Sequence, residues 1–532
     1  MDNTWYKEDA FYQIWCRSFK DVNGDGIGDL YGVLDKLDYI KSLGVDGIWF
    51  SPIYPSPNAD YGYDISDYKN ISPDYGDLDL FKKVLDEAHK RGLKVLMDLV
   101  VNHTSDEHYW FKESKKSVDN PYHDYYFWRK GKGKNGKRPP NNWLSTFEGG
   151  AWEYDKGLDE YYLHVFAKKQ PDLNMDNPKV REEVKSIMRF WLDMGVDGFR
   201  EPIATGVEHY NKGPHIHEYL KEFRHDVLNH YDCFVVGESP MTGADDALSF
   251  TEGQDKELDM MISFDHMQAD CFMTDTISTP FNLKKMKSAF TRWQKKLYGR
   301  AWNALYLENH DHPRIISRYG NEKFRNESGK MLATMCYMQS GTPFIYQGQE
   351  IGMLNNHLDS IDKFKDVVTF NNQRLFKKFG FSDKKYLEIA NKTSRENART
   401  PVQWDSSEYG GFSTAEPWFG VNPNYTEINV AQQEKDPDSI LNYYRKLLKV
   451  RKENPIIIYG DYEEHYHESN EIYCYERNFN GQKALIVCSF ADHTITFRAP
   501  KGFDLTKGEV LISNYHDAPA KKDICALRPY EA

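Results

Sequence analysis

The 532-residue sequence lacks long apolar runs and has no recognisable secretory signal. Its longest apolar runs, such as Val95–Met97 and Ala484–Cys488, fall far short of the roughly 18 residues that a transmembrane helix needs. The first residues contain neither the basic region nor the apolar region of a signal peptide. We therefore expect a cytoplasmic protein with no membrane partner.

Cysteine and positive charge are also scarce. The seven cysteines are scattered and show no C-x-x-C spacing, which argues against a disulfide framework and a zinc site. Lys and Arg number 68 against 81 Asp and Glu, so the formal net charge of −13 disfavours nucleic acid as a partner. What is abundant is aromatic residues, at 15% of the chain. Such amphipathic rings suit half-wet interfaces, including those with sugars.

Eight short apolar runs, each followed by a stretch with helical periodicity, predict an α/β fold. Alternation of this kind, repeated eight times, is typical of a (β/α)8 TIM barrel. The predicted strands are Phe11–Cys16, Gly47–Phe50, Lys94–Val101, Val196–Arg200, Cys233–Gly237, Met260–Phe264, Ala304–Leu307 and Pro343–Tyr346.

Two segments depart from the barrel pattern. After the third predicted strand, the helical period gives way to clusters of aromatic, Gly and Lys residues, which predicts an inserted subdomain over 104–172. After residue 455 the pattern becomes strand-rich, beginning with Ile456–Tyr459, and predicts a C-terminal antiparallel β domain over 456–532. The barrel would then comprise 1–103 and 173–455.

Polar, titratable residues follow four of the predicted strands. The end of the third strand reads Asp98–His103, that of the fourth Gly198–Pro202, that of the fifth Val236–Glu238 and that of the seventh Asn309–Asp311. Each alone could be a capping carboxylate or a satisfied core residue. In a barrel, however, the carboxyl ends of all strands meet on one rim, where active sites form. Together these residues predict a catalytic site.

Five ordered motifs and two flanking ones carry a resemblance to a known family. They are Asp98–Thr104, Gln170–Asn174, Gly198–Arg200, Val236–Glu238 and Asn309–Asp311, flanked by Gly62–Asp64 and Asn397–Pro401. The chain resembles glycoside hydrolase family 13, the α-amylase superfamily, and within it the exo-acting oligo-1,6-glucosidase and α-glucosidase group. The resemblance implies retaining hydrolysis or transfer of a terminal α-glucosyl unit.

The resemblance also implies roles for individual residues. Glu238 would be the acid/base, and Asp311 with His310 would hold the sugar 2- and 3-hydroxyls. Tyr63 and Phe166 would form the platform and wall of the glucose site. The further substrate contacts would be Asp60, Asp98, His103, Gln170, Arg200 and Arg399, with Asp60 and Arg399 forming the ion pair that closes the pocket. A closed pocket implies exo action.

The match fails where the family places its nucleophilic Asp, two residues after Arg200. Here Arg200 is followed by Glu201 and Pro202. Proline has no ionisable side chain and cannot attack a glycoside. By strand alternation Glu201 would point away from the site, although a bulge could turn it inward as a substitute nucleophile. We expect severely reduced glycosidase activity, because loss of a nucleophile typically costs ~10^4 to 10^6 in turnover.

Other departures lie nearby, at Met175, Ser239, Glu308 and His312. They raise the hypothesis of a glucose site rebuilt, naturally or by engineering, for another reaction. Glu308 and His312 could add a second acid/base pair, although a surface or core role for either is favoured. A non-catalytic sugar-binding protein is a further alternative. Ile203 weakly favours isomaltose-like substrates, with sucrose and maltose left open.

One more motif points to a structural cation. Asp21, Asn23, Asp25, Ile27 and Asp29 place oxygen atoms at alternate positions with glycines between, as a loop around Ca2+ or Mg2+ requires. The group that the chain resembles carries a cation in this loop, whereas the alternative is a plain Asx-rich turn. We expect no organic cofactor, and a monomer or weak homo-oligomer.

Overall fold

The computed structural model describes residues 4–147, 149–202, 213, 215–239, 242–272, 274–517 and 522–532. Its strands are β1 Phe11–Ile14, β2 Gly47–Phe50, β3 Lys94–Asp98, β4 Trp128–Arg129, β5 Trp152–Asp155, β6 Glu160–Leu163, β7 Gly198–Pro202, β8 Phe234–Glu238, β9 Met260–Ile262, β10 Cys271–Phe272, β11 Thr274–Ser278, β12 Asn303–Tyr306, β13 Thr342–Tyr346, β14 Glu463–His465, β15 Ile472–Phe479, β16 Gln482–Ser489, β17 Ile495–Arg498 and β18 Ile524–Leu527. Its α-helices are α1 Leu30–Ser42, α2 Leu78–Lys90, α3 Tyr109–Ser114, α4 Pro178–Met194, α5 Ile216–Asp226, α6 Ala244–Thr251, α7 Leu283–Leu297, α8 Ile315–Tyr319, α9 Arg325–Tyr337, α10 Val367–Lys378, α11 Asp383–Thr393, α12 Val430–Gln433, α13 Ile440–Glu453 and α14 Pro455–Tyr459.

Eight parallel strands close into a barrel in the order β1-β2-β3-β7-β8-β9-β12-β13, with β13 returning to β1. The predicted (β/α)8 fold is therefore confirmed, and every predicted barrel strand has a counterpart. The strands are short and apolar because both faces are covered, as in the fully buried β1 and β2. The barrel brings the ends of β3, β7, β8 and β12 to one rim.

Local signals define the helix–strand unit that leads into β7. Asn177 caps α4 by accepting from the Lys179 amide, Pro178 opens its first turn, and Gly195 ends it in the left-handed conformation. The strand then begins at Gly198, where a side chain would meet the Phe234 carbonyl oxygen at 1.9 Å. Glycine at this position lets β7 and β8 pair closely enough to fix the register of the residues that follow.

Between β3 and β7 the chain forms a small antiparallel sheet in the order β4-β6-β5. A separate apolar cluster, including Phe127, Trp152 and Leu163, supports it. His103 pairs with Asp172 in an isolated antiparallel bridge, which brings the two connections of this segment together beside the rim.

The C-terminal part contains the antiparallel sheets β14-β15-β16 and β17-β18. The expectation that Ile456–Tyr459 is its first strand is wrong, because these residues belong to helix α14. Pro455 occupies the first helical position, for which its fixed φ is suited. Ile456, Ile457 and Ile458 are all buried at the junction with the barrel, so the apolar run reflects burial on every side and not a sheet.

No helix in the described ranges is both long and apolar enough to cross a membrane. All seven cysteines are free thiols, six of them buried, in agreement with the absence of a disulfide pattern from the sequence.

Candidate active site

Arg200 joins the ends of three neighbouring strands at the rim of the barrel. Parallel pairing sets Asp98 of β3 beside Arg200 of β7, and Pro202 beside Glu238 of β8. The Arg200 guanidinium donates to Asp98 Oδ1 at 3.0 Å and, through Nε, to Glu238 Oε2 at 3.1 Å. The residue is 2% exposed, so these charge-assisted bonds lie out of water, where they are strong.

The Asp98 carboxylate is completely buried and has a second donor, the Tyr63 hydroxyl, at 2.8 Å from Oδ2. Burial raises the pKa of Asp98, and the Arg200 guanidinium opposes that shift. Asp98 thus orients Arg200 and Tyr63 and lies below the surface that a substrate would reach.

Stacked rings form one wall of the site. The Tyr63 and His310 rings stack with centroids 5.1 Å apart, and the Trp15 ring packs against both, 5.3 Å from His310 and 6.4 Å from Tyr63. His310 Nδ1 is 2.9 Å from Gln13 Nε2, and His310 Nε2 is 3.0 Å from Asp311 Oδ2. The imidazole is therefore held between an amide and a carboxylate, which fixes its orientation.

The opposite side carries a polar cluster supplied by β3 and the inserted segment. Gln170 Nε2 lies 3.0 Å from Asp60 Oδ2 and 3.1 Å from His103 Nε2. Burial lowers the pKa of His103 to about 4, so its ring is neutral at physiological pH and can accept or donate one hydrogen bond. The Phe166 ring packs 5.2 Å from it.

Arg395 is a site residue that the sequence reasoning missed. Its guanidinium bridges Asp60 at 2.8 Å and Asp311 at 2.8 Å, and also pairs with Asp366. Arg399 pairs with Asp311 at 3.1 Å and with Asp366 at 3.3 Å, so the predicted Asp60–Arg399 pair is wrong and Arg395 is the partner of Asp60. The one available signal was a second arginine four residues before Arg399.

Among the predicted acidic site residues, Asp311 has the most basic neighbours. Burial alone would raise its pKa, but His310, Arg395 and Arg399 outweigh that effect and hold the pKa well below its ordinary value. Asp311 is therefore a carboxylate, able to accept hydrogen bonds from hydroxyl groups and unable to act as an acid near neutral pH.

Strand β7 shows no bulge. Each residue from Gly198 to Pro202 pairs in unbroken register with Phe234 to Glu238, so the bulge that could have turned Glu201 inward does not form, and the alternation expected from the sequence holds. Glu201 is 1% exposed, and its Oε1 has no hydrogen-bond partner in the described structure. Burial raises its pKa to about 7, with Arg224 of α5 opposing the shift. This carboxyl group thus lies behind the strand, toward the helices; Ile203 is outside the described residues.

Glu308 and His312 do not form a second acid/base pair. Glu308 accepts from Arg314 at 2.9 Å and from the Ile315 amide at 2.8 Å, fully buried. The His312 ring packs against the rings of Tyr306 and Phe264, which also contact each other. Both side chains serve the packing below the rim, which removes the main support for a rebuilt reaction centre.

The predicted cation loop is closed by its own hydrogen bonds. Asp21 accepts from the amides of Gly24 and Gly26 at 2.7 and 2.8 Å, and Asp29 caps α1 while accepting from Asn23 at 3.0 Å. Within the described ranges no three His, Cys, Asp or Glu side chains converge as metal ligands. The donor set is nonetheless all oxygen, as Ca2+ prefers. Asp21 Oδ2 and Asp29 Oδ2 each already accept two hydrogen bonds, so a cation would have to displace some of these donors or use the other oxygens of the loop.

A closed (β/α)8 barrel whose rim gathers buried carboxylates, three arginines and stacked rings is typical of a carbohydrate-active enzyme. A family model described as "Alpha amylase, catalytic domain" matches residues 13–460. The chain belongs to the α-amylase family, as the motifs predict.

Individual relatives cover the whole chain. It is 48% identical to an oligo-1,6-glucosidase of Parageobacillus thermoglucosidasius over 100% of this chain and 99% of that protein, and 46% identical to one of Bacillus cereus with the same coverage. Among solved structures, a variant of Bacillus licheniformis trehalose-6-phosphate hydrolase matches with TM-score 0.94 at 43% identity, covering 99% of both chains. A variant of isomaltulose synthase from Erwinia rhapontici NX5, in complex with D-glucose, matches with TM-score 0.95 at 40% identity, covering 99% and 98%.

Proposed function

We propose that this protein binds the terminal glucose of small α-glucosides in an exo-type pocket and hydrolyses them far more slowly than its relatives, because it lacks the nucleophile. We propose isomaltose-like compounds as the substrates, with maltose and sucrose as alternatives. The full-length similarity to oligo-1,6-glucosidases supports the substrate class.

The sugar-holding side of the rim supports retention of binding. Asp311 and Asp60 are ionised or ion-paired acceptors, Gln170 and His103 are neutral hydrogen-bonding groups, and Tyr63 supplies a ring face. Apolar rings combined with convergent polar groups are the usual composition of a sugar pocket. The hydroxyl groups of a bound glucose would replace some of the contacts that Arg395 makes.

The observation that carries the proposal is the unbroken register of β7, which sets Pro202 opposite Glu238. Retaining hydrolysis needs a carboxylate that attacks the anomeric carbon and a second group, about 5 to 5.5 Å from it, that protonates the leaving oxygen. Proline supplies no such carboxylate, and Glu201 next to it lies on the other side of the strand. Of the pair, only the acid/base candidate Glu238 is left.

The Glu238 carboxylate is already bound by Arg200. Its carboxylate accepts from both Nε and Nη2 of Arg200. Asp98 and Glu238 are the acidic partners of this arginine. To protonate a leaving group, Glu238 has to part from Arg200 and bind a proton, which adds a further barrier to turnover.

Turnover of p-nitrophenyl α-glucoside with and without sodium azide tests the proposal. Azide attacks the anomeric carbon from the face opposite the leaving group, so a C–N bond forms as the C–O bond breaks and the electron pair leaves with p-nitrophenolate. We expect very slow release without azide, and faster release with azide that yields β-glucosyl azide. Sodium chloride at equal concentration controls for ionic strength. Rates typical of an α-glucosidase, unchanged by azide, would overturn the proposal.

A second candidate function is sugar binding without turnover. It is favoured by the arginine partners of both acids, since Glu238 pairs with Arg200 and Asp311 with Arg395 and Arg399. Titration calorimetry with isomaltose separates the two: a binding heat with no glucose product, even with azide present, supports a binding protein. Glucosyl azide formation supports the impaired enzyme.

We also propose a structural Ca2+ or Mg2+ in the loop Asp21–Asp29. The fully buried Asp29 and the buried Asp21 make this loop the brace between β1 and α1. A cation there would be held by carboxylate, amide and main-chain oxygens, and it lies in a segment that plays no part in the chemistry.

A further inference from the structure

Asp366 is a buried acid behind the sugar-holding side of the rim. It is 1% exposed, whereas the side chain of Asp311, with which it shares two arginines, is 34% exposed. Asp366 immediately precedes α10, the first helix of the helical hairpin α10–α11. A small apolar cluster, including Phe364 and Tyr386, packs this hairpin separately from the barrel core. Asp366 thus lies at the base of the hairpin, next to the rim.

Asp366 and Asp311 alternate with Arg395 and Arg399 in a closed ring of ion pairs. Arg395 pairs with Asp366 through Nε and with Asp311 through Nη1, the latter at 2.8 Å. Arg399 pairs with the same two acids, at 3.3 Å from Asp366 and 3.1 Å from Asp311. Burial alone would raise the pKa of Asp366, but the two arginines outweigh burial and lower that pKa, so the group is a carboxylate. Each arginine therefore joins the more exposed acid of the rim to the buried acid behind it.

The Asp366 carboxylate fixes the plane of the Arg395 guanidinium. Nε and Nη2 of Arg395 both donate to it, Nη2 at 3.0 Å from Oδ1, which is the two-pronged pairing that arginine and carboxylate groups favour. The guanidinium carbon lies over the Phe147 ring, 5.1 Å from its centroid. In this orientation Nη2 also reaches Asp60 and Nη1 reaches Asp311, each at 2.8 Å.

Asp366 is itself held by the backbone. Its Oδ1 accepts from the Val368 amide at 2.9 Å, which caps the first turn of α10. One residue earlier, the Lys365 amide donates to Glu396 Oε1 at 2.6 Å, so a second bond joins the two ends of the hairpin beside the Asp366–Arg395 pair. A binding group that is supported by a second layer of fixed contacts keeps its geometry when a ligand replaces its other partners.

We propose that Asp366 is a positioning residue of the glucose site, which holds Arg395 so that Asp60 and Asp311 remain able to accept from sugar hydroxyls. A sugar has to replace part of the contacts of Arg395 with these two acids. Arg395 can release them because Asp366 keeps its buried charge paired. Without the Asp366 charge, Arg395 would be left with Asp60 and Asp311 as ion-pair partners and would hold them more tightly against the sugar. This role rests on the proposed binding of a terminal glucose at the rim.

Calorimetric titration of the Asp366→Asn variant with isomaltose tests this role. Asparagine can still accept from the Val368 amide and cap α10, but it carries no charge for Arg395. We expect the Kd to rise at least ~10-fold, as loss of a charge-assisted hydrogen bond typically produces. In an Arg395→Ala background the same substitution should change the Kd less than about 3-fold, because the side chain through which Asp366 acts is absent.

Ser382→Ala is the matched control for damage to the hairpin. Ser382 caps α11 by accepting from the Lys385 amide at 3.2 Å, and α11 lies at the other end of the loop that follows α10. Loss of this cap should lower the melting temperature while the Kd for isomaltose stays the same.

An unchanged Kd in Asp366→Asn would overturn the positioning role. The same conclusion would follow from a rise of about 10-fold that persists in the Arg395→Ala background, or from an equal rise in Ser382→Ala. Absence of any binding heat with the unmodified protein would be a different result: it would overturn the proposed function, and the role of Asp366 with it.

Discussion

The two sides of the rim differ in how completely their charges are used. At the end of β12, Asp311 accepts hydrogen bonds from Arg395 and Arg399, and its Oδ2 lies 3.0 Å from His310 Nε2. At the end of β7, Arg200 donates to Asp98 and Glu238, and the residue two positions further along the strand is a proline with no ionisable side chain. At β12 the Asp311 carboxylate can accept hydrogen bonds from a sugar, whereas at β7 Arg200 is paired with two carboxylates of the protein itself.

This difference shows that recognition and reaction can be separated within one site. The groups that we propose to hold a sugar follow β2, β3 and β12 or lie in the inserted segment and the Arg395–Arg399 turn, and residue 202 is not among them. The reacting group depends on one position of one strand. Changes at that position should therefore alter turnover by orders of magnitude and binding very little.

The largest effect is expected from Pro202→Asp, which supplies a carboxylate at the position paired with Glu238. We predict a gain in p-nitrophenyl α-glucoside turnover of ~10^4 or more, because deletion of a nucleophile costs about that much. Steady-state kinetics measures it. Pro202→Asn, which is similar in shape but cannot form a glycosyl ester, is the control; an equal gain in both variants would contradict the assignment of β7.

The Glu201→Gln substitution tests the residue next to Pro202, whose side chain lies on the helix-facing side of β7. The folded protein raises the pKa of Glu201 from 4.5 to about 7, so between these pH values the folded state holds a proton that the unfolded state has released. The free energy of unfolding then falls as pH rises through this window, by up to about 3 kcal/mol from this group.

We therefore predict that the melting temperature of Glu201→Gln falls less between pH 4.5 and 7 than that of the unmodified protein. Scanning calorimetry at a series of pH values measures the slope, and residual turnover should not change. Loss of residual turnover with an unchanged slope would instead mark Glu201 as a working nucleophile.

Asp311→Asn tests the side of the rim that we regard as intact. A hydrogen bond to a charged group contributes about 2 kcal/mol, so the Kd for isomaltose should rise roughly 30-fold. Glu308→Gln, three residues earlier, is the comparison: its carboxylate is bound to Arg314 in the core, so stability should fall while the Kd stays the same. Reversed outcomes would exchange the roles of the two acids.

The smallest effect is expected from cation removal. A bound ion stabilises the folded state according to its concentration relative to its Kd. We predict that the melting temperature rises by a few degrees in millimolar Ca2+ relative to EDTA, and that Asp21→Asn abolishes the rise. Equal melting temperatures in both buffers would favour the plain hydrogen-bonded turn.

The sequence predicted the barrel well because each strand is a short apolar run followed by a helical period, and both signals are local. It failed at Ile456–Tyr459, where burial on all sides makes a helix look like a strand. In the site, strand alternation placed Glu201 correctly, whereas the arginine pairing could not be read from spacing. Arg395 and Arg399 are both within reach of Asp366, and only the packed structure decides which of them turns toward Asp60.

The central claim is that the site can hold glucose but has no group to bond with it. Incubation with 5-fluoro-α-D-glucosyl fluoride, followed by intact-mass and peptide analysis, examines that bond directly. We predict an unchanged mass for the unmodified protein and a single fluoroglucosyl adduct at position 202 of the Pro202→Asp variant. An adduct on the unmodified chain, above all on the peptide that contains Glu201, would contradict the account.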